Sequence, residues 1–141
     1  MKSMYGEAFT FDLAQFRAAH DQATLEDDKV GFKTAVNILE LWKFTDTEKA
    51  IVLGDFSGAT FRRVKGGNLV RKLTIDRRTR VSLILGIHKA LRTMFIQDKH
   101  RLEWVKNKNR AFNDHSPKEL MLSGALIGLH EIRRYLDSAL V

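Results

Sequence analysis

The residues best suited to chemistry are an acid, a histidine and a serine in succession, Asp114, His115 and Ser116, within NRAFNDHSPKELMLSG. A hydrolytic triad uses these residue types, but the fold brings its members together from separate places. Three consecutive side chains rarely reach that arrangement. The stretch also has the pattern of a helix start, because Ser116 and Glu119 have capping-box spacing and Pro117 suits the first helical position. We therefore predict a helix start and not a nucleophile.

Other signals for catalysis or metal binding are weaker. The chain has no cysteine, which excludes disulfides and thiolate zinc sites. No H-x₃-H pair occurs among the five histidines, and Gly66-Gly67 lacks the GxxxxGK[ST] pattern of a phosphate-binding loop. The histidines are His20, His88, His100, His115 and His130. We expect no catalytic residue, no metal and no cofactor, and therefore a protein that is not an enzyme.

The elements that position these residues are predicted to be helical almost throughout, because no stretch alternates with period two. Helices are expected over about 9–22, 34–43, 46–53, 57–65 and 75–95, followed by one capped by Asp98 and by two that flank Gly124. Thr45 with Glu48 forms a second capping box, and Thr74 is the expected cap of the longest helix. The acidic stretch TLEDDKVG, residues 24–31, is interpreted as a linker.

The 141 residues, of which 44% are hydrophobic, suit one medium domain or two small, tightly packed ones. No apolar run reaches the roughly 18 residues of a membrane-spanning helix. The N-terminus also lacks the core of a signal peptide. We therefore expect a cytoplasmic protein with no membrane partner.

The net charge of +7 is concentrated in residues 56–80, which hold eight bases against one acid, Asp76. The bases are Arg62, Arg63, Lys65, Arg71, Lys72, Arg77, Arg78 and Arg80. Residues 1–31 are acidic instead, with six acids against three bases. A solvated charged face is one interpretation of the basic cluster. Its concentration around two short helices favours a surface that binds a polyanion.

Residues 46–65 have the order of a helix–turn–helix: a short helix, a glycine-led turn and a second short helix. In that motif the second helix lies in the DNA major groove, with its N-terminal residues towards the base edges. Small residues at its start allow close approach, and arginines contact guanine or phosphate. The predicted DNA-binding residues are Ser57, Ala59, Thr60, Arg62, Arg63 and Lys65.

These residues also carry a resemblance to a known family. ILELWKFTDTEKAIVLGDFSGATFRRVKGG resembles the Xre-like helix–turn–helix of the Xre/MbcA/ParS antitoxins. The second half is similar to the toxin-binding domain of that family, in order and spacing, through LTIDRRTRVSLILGIHKALRTMF, the tryptophan of LEWVKNKNRAF, SPKELMLSG and IRRYLD. The resemblance covers about residues 34–140.

The resemblance implies a type II antitoxin that neutralises a cognate toxin by blocking its active site. The toxin would be a RES-domain enzyme that consumes NAD. It also implies a homodimer that binds operator DNA and represses its own operon. By this resemblance, the toxin-binding residues are predicted in the matching C-terminal segment of the chain. For the apolar residues of that segment, packing in the core is an alternative role. The tail residues are Leu129, Ile132, Arg133, Arg134, Tyr135 and Leu136.

The chain departs from the family pattern at three places. Lys108-Asn109 replaces Pro-Asn, Asn113-Asp114 stands where the family has glycines, and Val64 replaces an aromatic residue. Because Asn and Asp tolerate left-handed backbone, we expect the turn to survive without glycine.

The expected architecture is all-α, with an Xre-like helix–turn–helix domain packed against a small helical toxin-binding domain. The divisions are an N-terminal helical arm over 1–31, the DNA-binding region over 32–73 and the toxin-binding domain over 74–141. The alternative function is a helix–turn–helix transcriptional regulator whose C-terminal helices only dimerise.

Overall fold

The computed structural model describes residues 12–140, and these residues confirm the all-α prediction. They form α1 (Leu13–Gln22), α2 (Leu25–Leu41), α3 (Asp46–Val52), α4 (Gly58–Val64), α5 (Ile75–Met94), α6 (Asp98–Lys106), a 3₁₀ turn (Arg110–Phe112), α7 (Pro117–Leu122) and α8 (Leu126–Ala139). Within this range the one β-type pairing is an isolated bridge between Asn109 and His115. No helix in the described range is both long and apolar enough to cross a membrane.

The predicted helix starts are largely confirmed, because capping depends on residues three apart. Thr45 with Glu48 and Ser116 with Glu119 both form complete capping boxes. The Thr74 hydroxyl accepts a hydrogen bond from the backbone of the first turn of α5. The start of α6 differs from the prediction. Its cap position is Gln97, which makes no side-chain capping bond, and Asp98 is the first helical residue.

The prediction of a linker over residues 24–31 was wrong. Thr24 caps α2 and forms a capping box with Asp27, so the acidic stretch is the first part of a 17-residue helix. Acidic side chains in a first turn interact favourably with the positive end of the helix dipole, which explains the cluster of acids there. The expected boundary between 1–31 and 32–73 therefore lies inside α2. The first residues of the predicted 9–22 helix, 9–11, lie outside the described range.

The core is built around α5, which packs against α2 on one side and α8 on another. Fully buried side chains from the three helices form one continuous apolar cluster. Its largest members include Phe32, Leu39 and Trp42 of the α2 side, Ile84, Ile87 and Leu91 of α5, and Leu129, Ile132 and Leu136 of α8. Full burial of each such side chain stabilises the fold by about 1.5–3 kcal/mol. The two predicted functional regions thus share one core.

A buried ion pair joins α2 to the start of α5. The carboxylate of Asp28 accepts from both Nε and Nη2 of Arg78, at 2.8 and 2.6 Å, and from the backbone N–H of Leu73 at 2.8 Å. Burial alone would raise the pKa of Asp28, but the hydrogen bonds from Arg78 and Leu73 hold that pKa below its ordinary value. This pair fixes the end of segment 65–74, the connection from α4 to α5.

Candidate functional site

The two short helices α3 and α4, where the helix–turn–helix is predicted, are held by buried aromatic and aliphatic side chains behind an exposed outer face. Phe56, Phe61 and Val64 anchor α4 in the core. The turn before it uses positive φ at Gly54 and Asp55. Ser57 caps α4 by accepting from the N–H of Thr60 at 3.2 Å. The turn and these anchors orient α4 with its opposite face towards solvent.

The predicted DNA-binding residues lie together on or beside that outer face of α4. Thr60 is partly buried, and the other predicted residues are exposed. The exposed ones are Ser57, Ala59, Arg62, Arg63 and Lys65. Lys65 pairs with Asp46 of α3 at 2.9 Å, so its charge is partly balanced. This arrangement presents small residues at the helix start and cations after them.

Three of the eight basic residues in 56–80 are used inside the fold. Arg78 pairs with Asp28, as described above. Arg80 is 8% exposed and bonds to Asp76 and to the carbonyl oxygen of Val52. Arg77 donates to the carbonyl oxygen of Gly54. Fewer than eight positive charges therefore remain unbalanced at the surface, because Arg78 and Arg80 are ion-paired and Arg77 is held in one place by its carbonyl bond.

Three of the six predicted toxin-binding residues pack in the core, which is the alternative role given for the apolar ones. Leu129, Ile132 and Leu136 are at most 1% exposed and pack in the core. Their side chains are inaccessible to a partner in this structure, because helical spacing turns all three towards α5. Burial thus corrects the predicted contact set for these three residues.

The polar members of the tail have different positions. Arg133 bonds to Asp137 at 2.9 and 3.0 Å and lies against Gly86 of α5, where a Cβ would overlap its guanidinium. Arg134 is largely exposed and lies 3.8 Å from Glu131. Tyr135 is 37% exposed.

An aromatic cluster supports Tyr135 from beneath. Its ring stacks on Trp104, with 6.4 Å between centroids, and meets Phe112 edge-on at 5.4 Å. Trp104 also contacts Phe112 edge-on. Tyr135 is therefore a surface residue on a fixed aromatic base.

Beside the tail lie two open hollows that share Ile127 and Glu131, one between α7 and α8 and one along α8; of their residues, only Arg134 is among the predicted sites. We call them together the α7–α8 surface, which comprises His115, Glu119, Leu120, Ser123, Ile127, His130, Glu131 and Arg134. Ile127 is 67% exposed, with charged and polar groups around it. In the sequence, Ile127 does not share the helical face of the buried residues Leu129, Ile132 and Leu136. An apolar residue outside the buried face of α8 is the sequence signal that could have indicated this surface.

The close approach of α7 and α8 depends on Gly128. A Cβ at this position would overlap the carbonyl oxygen of Leu120. Because glycine lacks that atom, the two helices meet closely enough to form one continuous surface.

The Asp-His-Ser stretch serves the turn and cap that precede α7. Asn113 and Asp114 adopt left-handed backbone with φ of 54° and 64°, which confirms that the turn forms without glycine. The Ser116 hydroxyl accepts from the N–H of Glu119 at 3.0 Å, and the His115 ring contacts Glu119 and not the serine. The hydrogen bond to the Ser116 backbone and the contact with His115 lower the pKa of Glu119. Within residues 12–140 no three metal-ligating side chains come together.

Residues 90–139, which run from the end of α5 through α8, match the family described as the antitoxin Xre/MbcA/ParS C-terminal toxin-binding domain. The chain is also 31% identical over 103 residues to the uncharacterized protein y4oB of Sinorhizobium fredii (strain NBRC 101917 / NGR234). That similarity covers 72% of this chain and 77% of the relative. Residues 90–139 thus form a toxin-binding domain of the Xre/MbcA/ParS antitoxin type.

The α7–α8 surface lies within the part of the chain that matches the family. The matched toxin-binding domain contains α6, the left-handed turn, α7 and α8, and so it includes every residue of that surface. A toxin-binding domain implies a cognate toxin as partner. The matched region does not reach α3 or α4.

Proposed function

We propose that this protein is the antitoxin of a type II toxin–antitoxin system, that it neutralises a RES-type, NAD-consuming toxin by blocking its active site, and that it represses its own operon. The observation that carries the proposal is the toxin-binding domain over residues 90–139. The RES type and the blocked active site rest on the resemblance of the chain to its family.

The toxin contact is assigned to the α7–α8 surface together with Tyr135. Protein interfaces commonly have an apolar or aromatic centre inside a polar rim. Ile127 supplies such a centre, and Glu131 and Arg134 contribute to its rim. Tyr135 adds an aromatic side chain held by Trp104 and Phe112. A toxin would present an apolar side chain to Ile127 and groups of mixed charge to the rim.

Operon repression is assigned to α4. Its exposed face carries Ala59, Arg62 and Arg63, and the helix follows α3 through a tight turn at Gly54. In a helix–turn–helix this geometry places the second helix in the major groove. A homodimer would present two such helices to the two halves of an operator.

The test is co-expression with the adjacent open reading frame, followed by affinity purification and a growth assay. We expect Ile127→Asp to lose toxin binding by about 30-fold or more, because a charge replaces an apolar centre that the interface desolvates. Val30→Asp on α2 is the matched control, since Val30 is also 67% exposed but lies outside the toxin-binding domain. The control should purify with the toxin and restore growth.

Each part of the proposal has its own contrary result. Normal neutralisation by Ile127→Asp would reject the α7–α8 surface as the contact. A toxin that leaves cellular NAD unchanged would reject the RES assignment. If the wild-type chain forms no complex and rescues no growth but binds its promoter, the alternative of a plain transcriptional regulator replaces the antitoxin.

A further inference from the structure

The structure leaves five basic residues of 56–80 without an ion-pair partner in the described part of the chain. They are Arg62, Arg63, Arg71, Lys72 and Arg77. Two of them, Arg71 and Lys72, are in segment 65–74 and not on the predicted recognition helix. Lys72 makes one long contact, 3.4 Å, to the carbonyl oxygen of Asp21. The positive surface therefore extends beyond α4.

A groove of about 300 Å³ separates α4 from this segment. We call it the basic groove and define it by Thr60, Arg63, Arg71, Lys72, Thr74 and Arg77. All four of its charged lining residues are basic, and no acid lines it. It thus gathers positive charge around a space that a small anionic group can enter.

The walls of the groove are fixed by the fold. Leu69 and Leu73 are buried at either end of Val70, Arg71 and Lys72, which are exposed. The N–H of Leu73 is held by the Asp28 carboxylate at 2.8 Å. This anchoring reduces the conformational entropy that Arg71 and Lys72 would lose on binding.

Arg77 forms a fixed positive wall at the α5 end of the groove. Its guanidinium carbon lies 3.7 Å from the ring centroid of Phe56, and its nitrogens bond to the carbonyl oxygen of Gly54. An anion in the groove would therefore meet one charge already held in place, together with the exposed side chains of Arg63, Arg71 and Lys72.

We propose that the basic groove binds a backbone phosphate of the DNA duplex that α4 reads. Arginine guanidinium groups and threonine hydroxyls are common donors to DNA phosphates. Thr60 and Arg63 belong both to the groove and to the predicted reading helix, so one duplex would engage both. The inference rests on the proposed DNA binding and adds a contact that positions the duplex without reading its sequence.

The test measures binding of the full chain to two labelled duplexes across a range of salt concentrations. One duplex carries the DNA immediately upstream of the gene, and the other has a random sequence of equal length. We expect Arg71→Gln with Lys72→Gln to weaken binding to both duplexes by the same factor. Loss of one phosphate contact should reduce the slope of log affinity against log salt concentration by about 0.9.

A charge-matched control removes two exposed lysines that do not line the basic groove. Lys106→Gln with Lys108→Gln should leave the salt slope close to the wild-type value, because both residues lie at the end of α6 and in the loop that follows. Thermal melts followed by circular dichroism should be unchanged in both variants, since all four side chains are exposed.

The contrary results separate this inference from the proposed function. If the wild-type chain binds the upstream duplex and the Arg71/Lys72 variant keeps its full salt slope, the basic groove does not bind a DNA phosphate, and the proposed DNA binding by α4 is unaffected. If inorganic phosphate alone shifts the amide resonances of Arg71 and Lys72 while the slope stays unchanged, the groove takes a free anion and the inference fails. If the wild-type chain binds neither duplex, both fail.

Discussion

Replacing Asp28 by asparagine should strongly destabilise the fold, because it leaves Arg78 partly buried without its counter-charge. Asp28 is 4% exposed, and the side chain of Arg78 is 18% exposed. Removing one partner of a buried ion pair costs about 3–5 kcal/mol of unfolding free energy. Arg78 would keep its bond to the carbonyl oxygen of Leu73 at 3.2 Å. We therefore expect a loss of about 3 kcal/mol, at the low end of that range.

The assay is urea denaturation at neutral pH, followed by circular dichroism. The midpoint should fall while the slope against urea stays the same, because the surface exposed on unfolding is unchanged. Asp27→Asn is the matched control one residue away. Asp27 is exposed and forms only the α2 capping box, so its replacement should have a much smaller effect. Equal losses in the two variants would refute the reasoning.

The stability difference between the wild type and Asp28→Asn should depend on pH. Because the folded-state pKa of Asp28 is lower than its ordinary value of 3.8, the ionised carboxylate stabilises the fold above that value. This stability is lost as the pH falls through the lowered pKa. Since asparagine does not titrate, the difference between the wild type and Asp28→Asn should narrow below about pH 3.8. A constant difference down to strongly acidic pH would contradict the ion pair as its source.

Two further substitutions test how the α7–α8 surface is built. Gly128→Ala should destabilise the chain by about 1–3 kcal/mol in urea, because the new Cβ meets a backbone carbonyl that cannot rotate away. Gly31→Ala, in the interior of α2 with only Val81 at 3.4 Å, is its control and should be neutral or stabilising. Ser116→Ala should cost about 1 kcal/mol by the same measurement, because it removes the cap of α7. A Ser116→Ala variant as stable as the wild type would show that the proline and the core suffice to start that helix.

Capping is the clearest case of a feature that the sequence predicts. Ser116 and Thr45 each form a capping box with a glutamate three positions later, and both boxes are present in the structure. The left-handed turn at Asn113 and Asp114 was predicted for a similarly local reason. By contrast, Thr24 and Asp27 have the spacing of a capping box, but the dense acidic charge around them favours a linker on sequence grounds, and the helix that forms there contradicts that prediction.

The candidate sites were predicted less completely, because burial depends on contacts between distant segments. Helical spacing put Leu129, Ile132 and Leu136 on one face, but only packing against α5 showed that this face is internal. Ile127 was left exposed by the same packing. The packing of α8 against α5 thus explains both results: it buries the three predicted contact residues and exposes the α7–α8 surface.

The sequence by itself determined the all-α class, most helix starts, the concentration of positive charge and the resemblance to an antitoxin family. These depend on composition, on residues three or four positions apart, and on motif order. Only the tertiary structure decided which charges remain at the surface. Arg78 finds its partner 50 positions away in Asp28, and Arg80 bonds to a carbonyl 28 positions away. Such distant pairings have no local signature, because they form only when helices pack around a shared core.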